Sequence, residues 1–285
     1  MSENVHPRAD DIDSLATLLE VMQAEERGAV DAISSQLSLI EEAVEQIATR
    51  LRSGGRLHYF GAGASGRIAA LDAAECGPTF GVESNLVQAH NAGDGDREDD
   101  SGLGHEHARQ SGIGTLDAAV GISASGRTPY VLAALGVAKA ERALTVALTC
   151  RPGSSLGSVA DIAIEIETGP EVIAGSTRLK AGTVQKVVLN MISTGIFFRL
   201  GRTHRGRMVN VVASNDKLRA RAARLVTELG GASPEEAQRA LRDAAGDAKV
   251  AILMLRTRLG AKEARQRLQS AGGNLNDVLA QGRRP

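Results

Sequence analysis

Aromatic side chains are scarce in this chain: 285 residues include two tyrosines, four phenylalanines and no tryptophan. The core must therefore be built from Ala, Val, Leu and Ile. An aromatic platform on which single-stranded nucleic acid or sugar rings could stack is excluded by the same shortage. Net charge is almost absent, at -1, and no long basic run occurs. Phosphate neutralisation then offers little affinity for nucleic acid, which leaves a small ligand as the expected partner. Cysteine is limited to Cys76 and Cys150, without metal-type spacing, and none of the six histidines forms a recognisable metal or triad motif. The acidic, polar N-terminus contains no signal peptide or membrane span. A cytoplasmic protein with no membrane partner is the expectation.

What is present is an α/β pattern. Apolar runs at 57–60, 86–87, 116–122, 144–148 and 162–166 alternate with helical segments, as in a parallel sheet covered by helices on both faces. Residues 1–13 form a polar arm, and a helix follows with Leu15, Leu18, Leu19 and Met22 on one face. After Gly28, the residues Val30, Ile33, Leu37, Ile40, Val44, Ile47 and Leu51 alternate spacings of three and four. This heptad seam packs on its own domain or meets its twin across a homodimer interface. Residues 179–200 read as a buried core helix, because Lys180, Gln185, Lys186, Asn190 and Arg199 interrupt an otherwise apolar run. From 213 onward the chain is helical and charged, with starts at Ser214 and Asn215 and at Ser233-Pro234-Glu235-Glu236, and a stop at Gly272-Gly273. The expected organisation is an N-terminal arm with helices over 1–53, an α/β domain over 54–224 and a small helical subdomain over 225–285.

The chain is organised around residues 60–80, FGAGASGRIAALDAAECGPTF. An apolar strand runs into a loop with Gly61, Gly63 and Gly66, then into an alanine-rich helix that carries Glu75. Small residues let backbone amides approach a ligand, and amides at a helix N-terminus form an anion site, so Gly63, Ala64, Ser65, Gly66 and Arg67 are candidate phosphate contacts. The acidic residue that a dinucleotide site needs at the end of the next strand is missing between Asn85 and Asn91, which favours a small phosphate monoester. SASGRT at 123–128 repeats the device after another strand, ahead of a helix opened by Pro129. Ser123, Ser125, Gly126 and Thr128 therefore join the candidate contacts, and both stretches remain readable as plain tight turns.

Three further groups bear on chemistry. Glu75 lies among Ala73, Ala74, Cys76, Gly77 and Pro78, a setting of low polarity that would raise a carboxyl pKa and suit a proton donor. At 94–100, DGDREDD places five acids in seven positions without calcium-loop spacing, and the run itself does not say which acid matters. At 169–186, Glu171, Ser176 and Lys180 stand beside the start of the buried helix, as substrate contacts or as ordinary helix capping.

Several segments together resemble one family, the N-acetylmuramic acid 6-phosphate etherases, which are built on the sugar isomerase (SIS) fold. They are GAGASGRIAALDAAECGPTFG, GISASGRTPYVLAAL, the CRPGS turn at 150–154, GPEVIAGSTRLKAGTVQKVVLNMISTG and VNVVASNDKL. The resemblance extends to the C-terminal helices and covers nearly the whole chain. It implies a three-layer SIS-type sheet domain and a lyase that cleaves the C3 lactyl ether, giving N-acetylglucosamine 6-phosphate and D-lactate in cell-wall sugar recycling. Elimination and water addition need two carboxyl groups and neither cofactor nor metal. The family's proton donor falls on Glu75. Its second active-site glutamate falls on Glu98, followed by Asp99, with Asp96 or Asp99 as the neighbouring acids that could replace it. The chain departs from the family at Ala64, Ala74 and Gly77, and is shorter between Val87 and Glu98 by about ten residues, a helix's worth. A sugar-phosphate sensor similar to the glucokinase regulatory protein, or an aldose-ketose isomerase, would share the fold. SIS proteins commonly pair, so a homodimer is expected.

Overall fold

The computed structural model describes residues 6–8, 12–93, 95–210 and 216–281. Asp94 of the acidic run and the helix start expected at Ser214 and Asn215 lie outside the described residues. Two helices open the chain, α1 (Leu15–Ala32) and α2 (Leu37–Arg52), joined by a 3-10 turn at Ile33–Gln36. Ser14 caps α1 by accepting the Thr17 amide at 3.1 Å. Helix α1 runs through Gly28 without a break, so the expected seam is divided between two helices. Ile33, Ile40, Val44, Ile47 and Leu51 are buried within the single chain, while Val30 and Leu37 stay exposed. On α1 the buried positions are Val21 and Ala29. Leu15 and Leu19, expected on one face of an amphipathic helix, are exposed, because no described residue covers that side.

The sheet domain follows: β1 (Leu57–Gly61), α3 (Gly63–Phe80), β2 (Val87–Asn91), α4 (Ser101–Gln110), β3 (Ala118–Ser123), α5 (Pro129–Ala140), β4 (Leu144–Thr149), α6 (Ser155–Val159), β5 (Ile162–Glu165) and α7 (Lys180–Arg199). The five strands are parallel in the order β2-β1-β3-β4-β5. Gly61 is level with Asn91 and with Ile122, so the loops after β1, β2 and β3 leave from one edge. Strands β1, β3 and β4 are buried along their whole length, as a sheet covered on both faces requires.

Small residues allow the helices to sit close. A Cβ on Gly121 would meet Leu135 at 2.6 Å and Val131 at 2.8 Å on α5, and one on Gly104 would meet the Tyr130 carbonyl oxygen at 2.2 Å. On the α4 and α5 face, Phe60 packs with Tyr130, Leu135 and Leu156. On the opposite face the Tyr59 hydroxyl donates to Asp72 of α3 at 3.1 Å, and Ser193 of α7 donates to the same carboxylate at 3.2 Å. Burial raises the Asp72 pKa, against the pull of Lys186, Tyr59 and Ser193. Buried His58 of β1 and half-buried His90 of β2 form a second polar pair, Nδ1 to Nε2 at 3.1 Å. Burial first, then neighbouring cationic side chains, pulls each of them down to about 4.

The C-terminal part holds a short hairpin, β6 (Thr203–His204) with β7 (Arg207–Met208), and helices α8 (Asp216–Gly230), α9 (Pro234–Asp243), α10 (Ala248–Thr257), α11 (Ala261–Ser270) and α12 (Leu275–Gln281). Val226, Leu229, Ile252, Leu253, Leu268 and Leu275 form its core. The expected capping box is present: Ser233 Oγ accepts the Glu236 amide at 3.2 Å, and Glu236 accepts the Ser233 amide at 2.8 Å. Helix α11 ends as expected, with Gly272 and Gly273 at φ +60° and +79°. Two compact units emerge, Met1–Glu75 with Ser84–Gly195 and Cys76–Glu83 with Ile196–Pro285. Among the described residues no helix is long and apolar enough to cross a membrane.

Candidate active site

In this strand order the direction of winding reverses between β1 and β3, and ligands of open α/β sheets sit outside the carboxyl ends of the strands at such a switch point. The two small-residue stretches follow these two strands. The first is already helical: α3 begins at Gly63, which has φ +54° and whose amide donates to the Gly93 carbonyl oxygen at 2.9 Å. Ala64, Ser65, Gly66 and Arg67 thus form its first turn, in which the Gly66 amide already donates to the Ala62 carbonyl oxygen at 3.1 Å while the Ala64 and Ser65 amides precede the first helical bonds. A Cβ on Gly66 would meet Asn91 Oδ1 at 2.2 Å and the Gly61 carbonyl oxygen at 2.9 Å, which explains the glycine. Ser65 Oγ donates to Gln185 Oε1 of α7 at 2.9 Å, and Arg67 is exposed.

The second stretch is a true loop ahead of α5. Ser123 is buried, and its Oγ accepts the Gly126 amide at 3.0 Å and lies 2.8 Å from Thr128 Oγ1. Ser125 Oγ accepts the Arg127 amide at 3.2 Å. Gly126 takes φ +64°, and a Cβ there would meet Ser154 at 2.4 Å. The turn after β4 is tied to this loop through the backbone, Cys150 N–H to Ala124 at 3.0 Å and Leu156 N–H to Gly126 at 2.9 Å.

Glu98 lies in an exposed 3-10 turn at Gly95–Asp99, and its Oε1 accepts the Thr128 hydroxyl at 3.0 Å. Asp100 is used differently, capping α4 by accepting the Leu103 amide at 2.9 Å. Glu75 lies farther along α3, twelve residues or about 18 Å of helical rise beyond Gly63. Its side chain is exposed, so the low-polarity setting expected from its alanine neighbours is absent in the single chain.

A cleft of about 780 Å³ opens beside the second loop, in the range of small-molecule sites. Ser125, Arg127, Arg151, Thr168, Glu171 and Thr177 are among its lining residues. Ser176 is half-buried between two of its lining residues, Gly175 and Thr177. Two expected contacts are committed elsewhere. Glu171 accepts the amides of Lys180 at 3.2 Å and Ala181 at 3.0 Å, so it caps α7, and burial raises its pKa against those two bonds. Lys180 is 3% exposed, and its ammonium pairs with Glu25 at 2.5 Å, because a buried charge needs a partner. Sequence reasoning included the CRPGS turn at 150–154 in the resemblance but did not single out Arg151, which lines the cleft. The available signal was an arginine in a Pro-Gly turn at the carboxyl end of a strand. Cys150 is inert: burial, with Glu171 nearby, pushes its thiol up to about 12.

Comparison with known proteins gives first the class. Residues 23–150 match the SIS domain. The fold is that of phosphoheptose isomerases from Neisseria gonorrhoeae, with a TM-score of 0.52 at 19% identity over 64% of this chain and 98% of that one, and from Francisella tularensis, at 0.51, 19%, 65% and 98%. The nearer relatives are more particular. The chain is 46% identical to an N-acetylmuramic acid 6-phosphate etherase of Rubrobacter xylanophilus over 100% of this chain and 97% of the relative. It is 45% identical to one of Geobacillus thermodenitrificans over 98% of each. It belongs to the N-acetylmuramic acid 6-phosphate etherase family.

Proposed function

We propose that this chain is a cytoplasmic lyase that cleaves the C3 D-lactyl ether of N-acetylmuramic acid 6-phosphate, giving N-acetylglucosamine 6-phosphate and D-lactate. The observation that carries this beyond family membership is the hydrogen bond from Thr128 to Glu98, which sets a carboxylate beside the phosphate-type loop at the switch point. The 6-phosphate sits on the first turn of α3 and on the 123–128 loop, where hydroxyls and amides receive its oxygens. In the open-chain aldehyde, Glu98 removes the proton on C2, acidified by the carbonyl. The electron pair forms the C2–C3 double bond as the C3–O bond breaks. Glu75 gives its proton to the departing lactate oxygen. Water then adds across the double bond, hydroxyl to C3 and proton to C2.

Glu75 and Glu98 must serve adjacent carbons, yet a single chain keeps Glu75 well down α3. We infer a homodimer in which Glu75 of one copy completes the site of the other. Leu71, one turn before Glu75 on the same helix face, is 51% exposed, the kind of side chain a partner would cover. D-lactate release from N-acetylmuramic acid 6-phosphate tests the reaction, and its absence in the parent would refute it. Glu75→Gln and Glu98→Gln should each lower kcat by about 10²–10⁴-fold. Mixing the two inactive variants with subunit exchange should restore about a quarter of the parent activity, the share of sites free of both substitutions in a C2 dimer. No recovery would sink the shared site. A sugar-phosphate sensor would bind and release nothing.

A further inference from the structure

On the etherase reading, the substrate carries two anionic groups, the 6-phosphate and the lactyl carboxylate, and the sugar product has lost the second. Preference for substrate over other amino-sugar phosphates then calls for a cation away from the phosphate loops. Two cationic side chains line the cleft, Arg127 and Arg151. Arg127 belongs to the 123–128 loop, the stretch assigned above to the phosphate, and it already has a partner. Lys180 is spent on Glu25.

Arg151 stands on the turn after β4, one strand farther along the sheet, with its side chain exposed to the cleft. The backbone on either side of it is fixed. Thr149 Oγ1 donates to the Arg151 carbonyl oxygen at 3.1 Å, and the Cys150 amide donates to Ala124 at 3.0 Å. The Gly153 and Ser154 amides donate to Glu165 at 2.8 and 2.9 Å. Ser154 Oγ adds a third bond at 2.7 Å, and together these outweigh burial and hold the Glu165 carboxyl below its usual range. Pro152 fixes a further φ. The guanidinium, by contrast, makes no hydrogen bond or ion pair with any described residue. Of the two acids lining the cleft, Glu171 is occupied by backbone amides, and Glu167 is exposed and makes no ion pair with Arg151.

We propose that Arg151 binds the lactyl carboxylate of the substrate through a two-point guanidinium–carboxylate contact, and so distinguishes the ether from sugar phosphates that lack that group. The test uses the full chain, lactate-release kinetics and N-acetylglucosamine 6-phosphate as a competitive inhibitor. Arg151→Ala should raise KM for the substrate about 10- to 100-fold while the Ki of the product stays within about twofold of the parent value. Arg151→Lys should recover part of the loss, since it restores charge without the fork. Arg127→Ala should raise KM and Ki together. A parent that releases no lactate overturns the etherase reading and this inference with it. An active parent whose KM is unchanged by Arg151→Ala, or whose KM and Ki rise together in that variant, overturns the role of Arg151 alone.

Discussion

The same four residues, Ala-Ser-Gly-Arg, occur at 64–67 and at 124–127, each after a strand of the sheet, and they adopt two different structures. At the first position they are the opening turn of α3. At the second they are a loop in which Gly126 sits at φ +64° and the serines hold the backbone amides. The neighbours decide. Gly63 and Ala62 feed directly into a helix, whereas Pro129 fixes the start of α5 and restricts Thr128 before it, so the chain needs a turn to reach that point. Even the shared glycine has two reasons: Gly66 yields space to Asn91, and Gly126 supplies a backbone conformation as well as space for Ser154.

Alanine at the two glycines breaks the comparison most sharply. Gly126→Ala combines left-handed strain with overlap against Ser154 and should cost about 2–5 kcal/mol, together with most of the activity. Gly66→Ala meets the Asn91 side chain, which can turn aside, and the Gly61 carbonyl oxygen at 2.9 Å, which cannot, but it carries no left-handed strain, so thermal melts should show the smaller loss, about 1–3 kcal/mol. Equal losses would mean that the two glycines do one job after all. Acid separates the two sides of the sheet next. The histidine pair lies on β1 and β2, and both members titrate at about 4 in the fold against 6.5 ordinarily. Between these values the unfolded chain takes up protons that the folded chain refuses, so stability is full above pH 6.5 and falls towards pH 4. His58→Gln should flatten that slope in melts across the range, and an unchanged slope would remove the pair as its source. The smallest effect belongs to Ser65→Ala, about 1 kcal/mol, from loss of the bond to the buried Gln185.

Much of the architecture was legible. Apolar runs bounded by small residues located five strands, and interrupted hydrophobicity marked α7 as a core helix, because both signals are local. For the same reason the glycine and serine stretches were legible as segments following β1 and β3, at the carboxyl edge of the sheet. What escaped depends on distance in space. Lys180 looks like a free cation until Glu25, far away in sequence, is seen beside it. Glu75 is conspicuous by its neighbours, yet only the span of α3 shows that twelve helical residues carry it away from Gly63 at the sheet edge. The heptad spacing was real, but a 3-10 turn splits it, and most of the stripe is used inside the chain.

The turn after β4 joins the 123–128 loop through main-chain bonds at Cys150 and Leu156, and its own shape is kept by Thr149, Glu165 and Pro152. None of these ties involves the side chain at 151. Scaffold and reading head are therefore separable at that position: a replacement there leaves the turn standing and alters only what the cleft accepts. Residue 151 is where a change of accepted substituent could be selected at little cost to folding, in a way that neither Gly126 nor Ser154 permits.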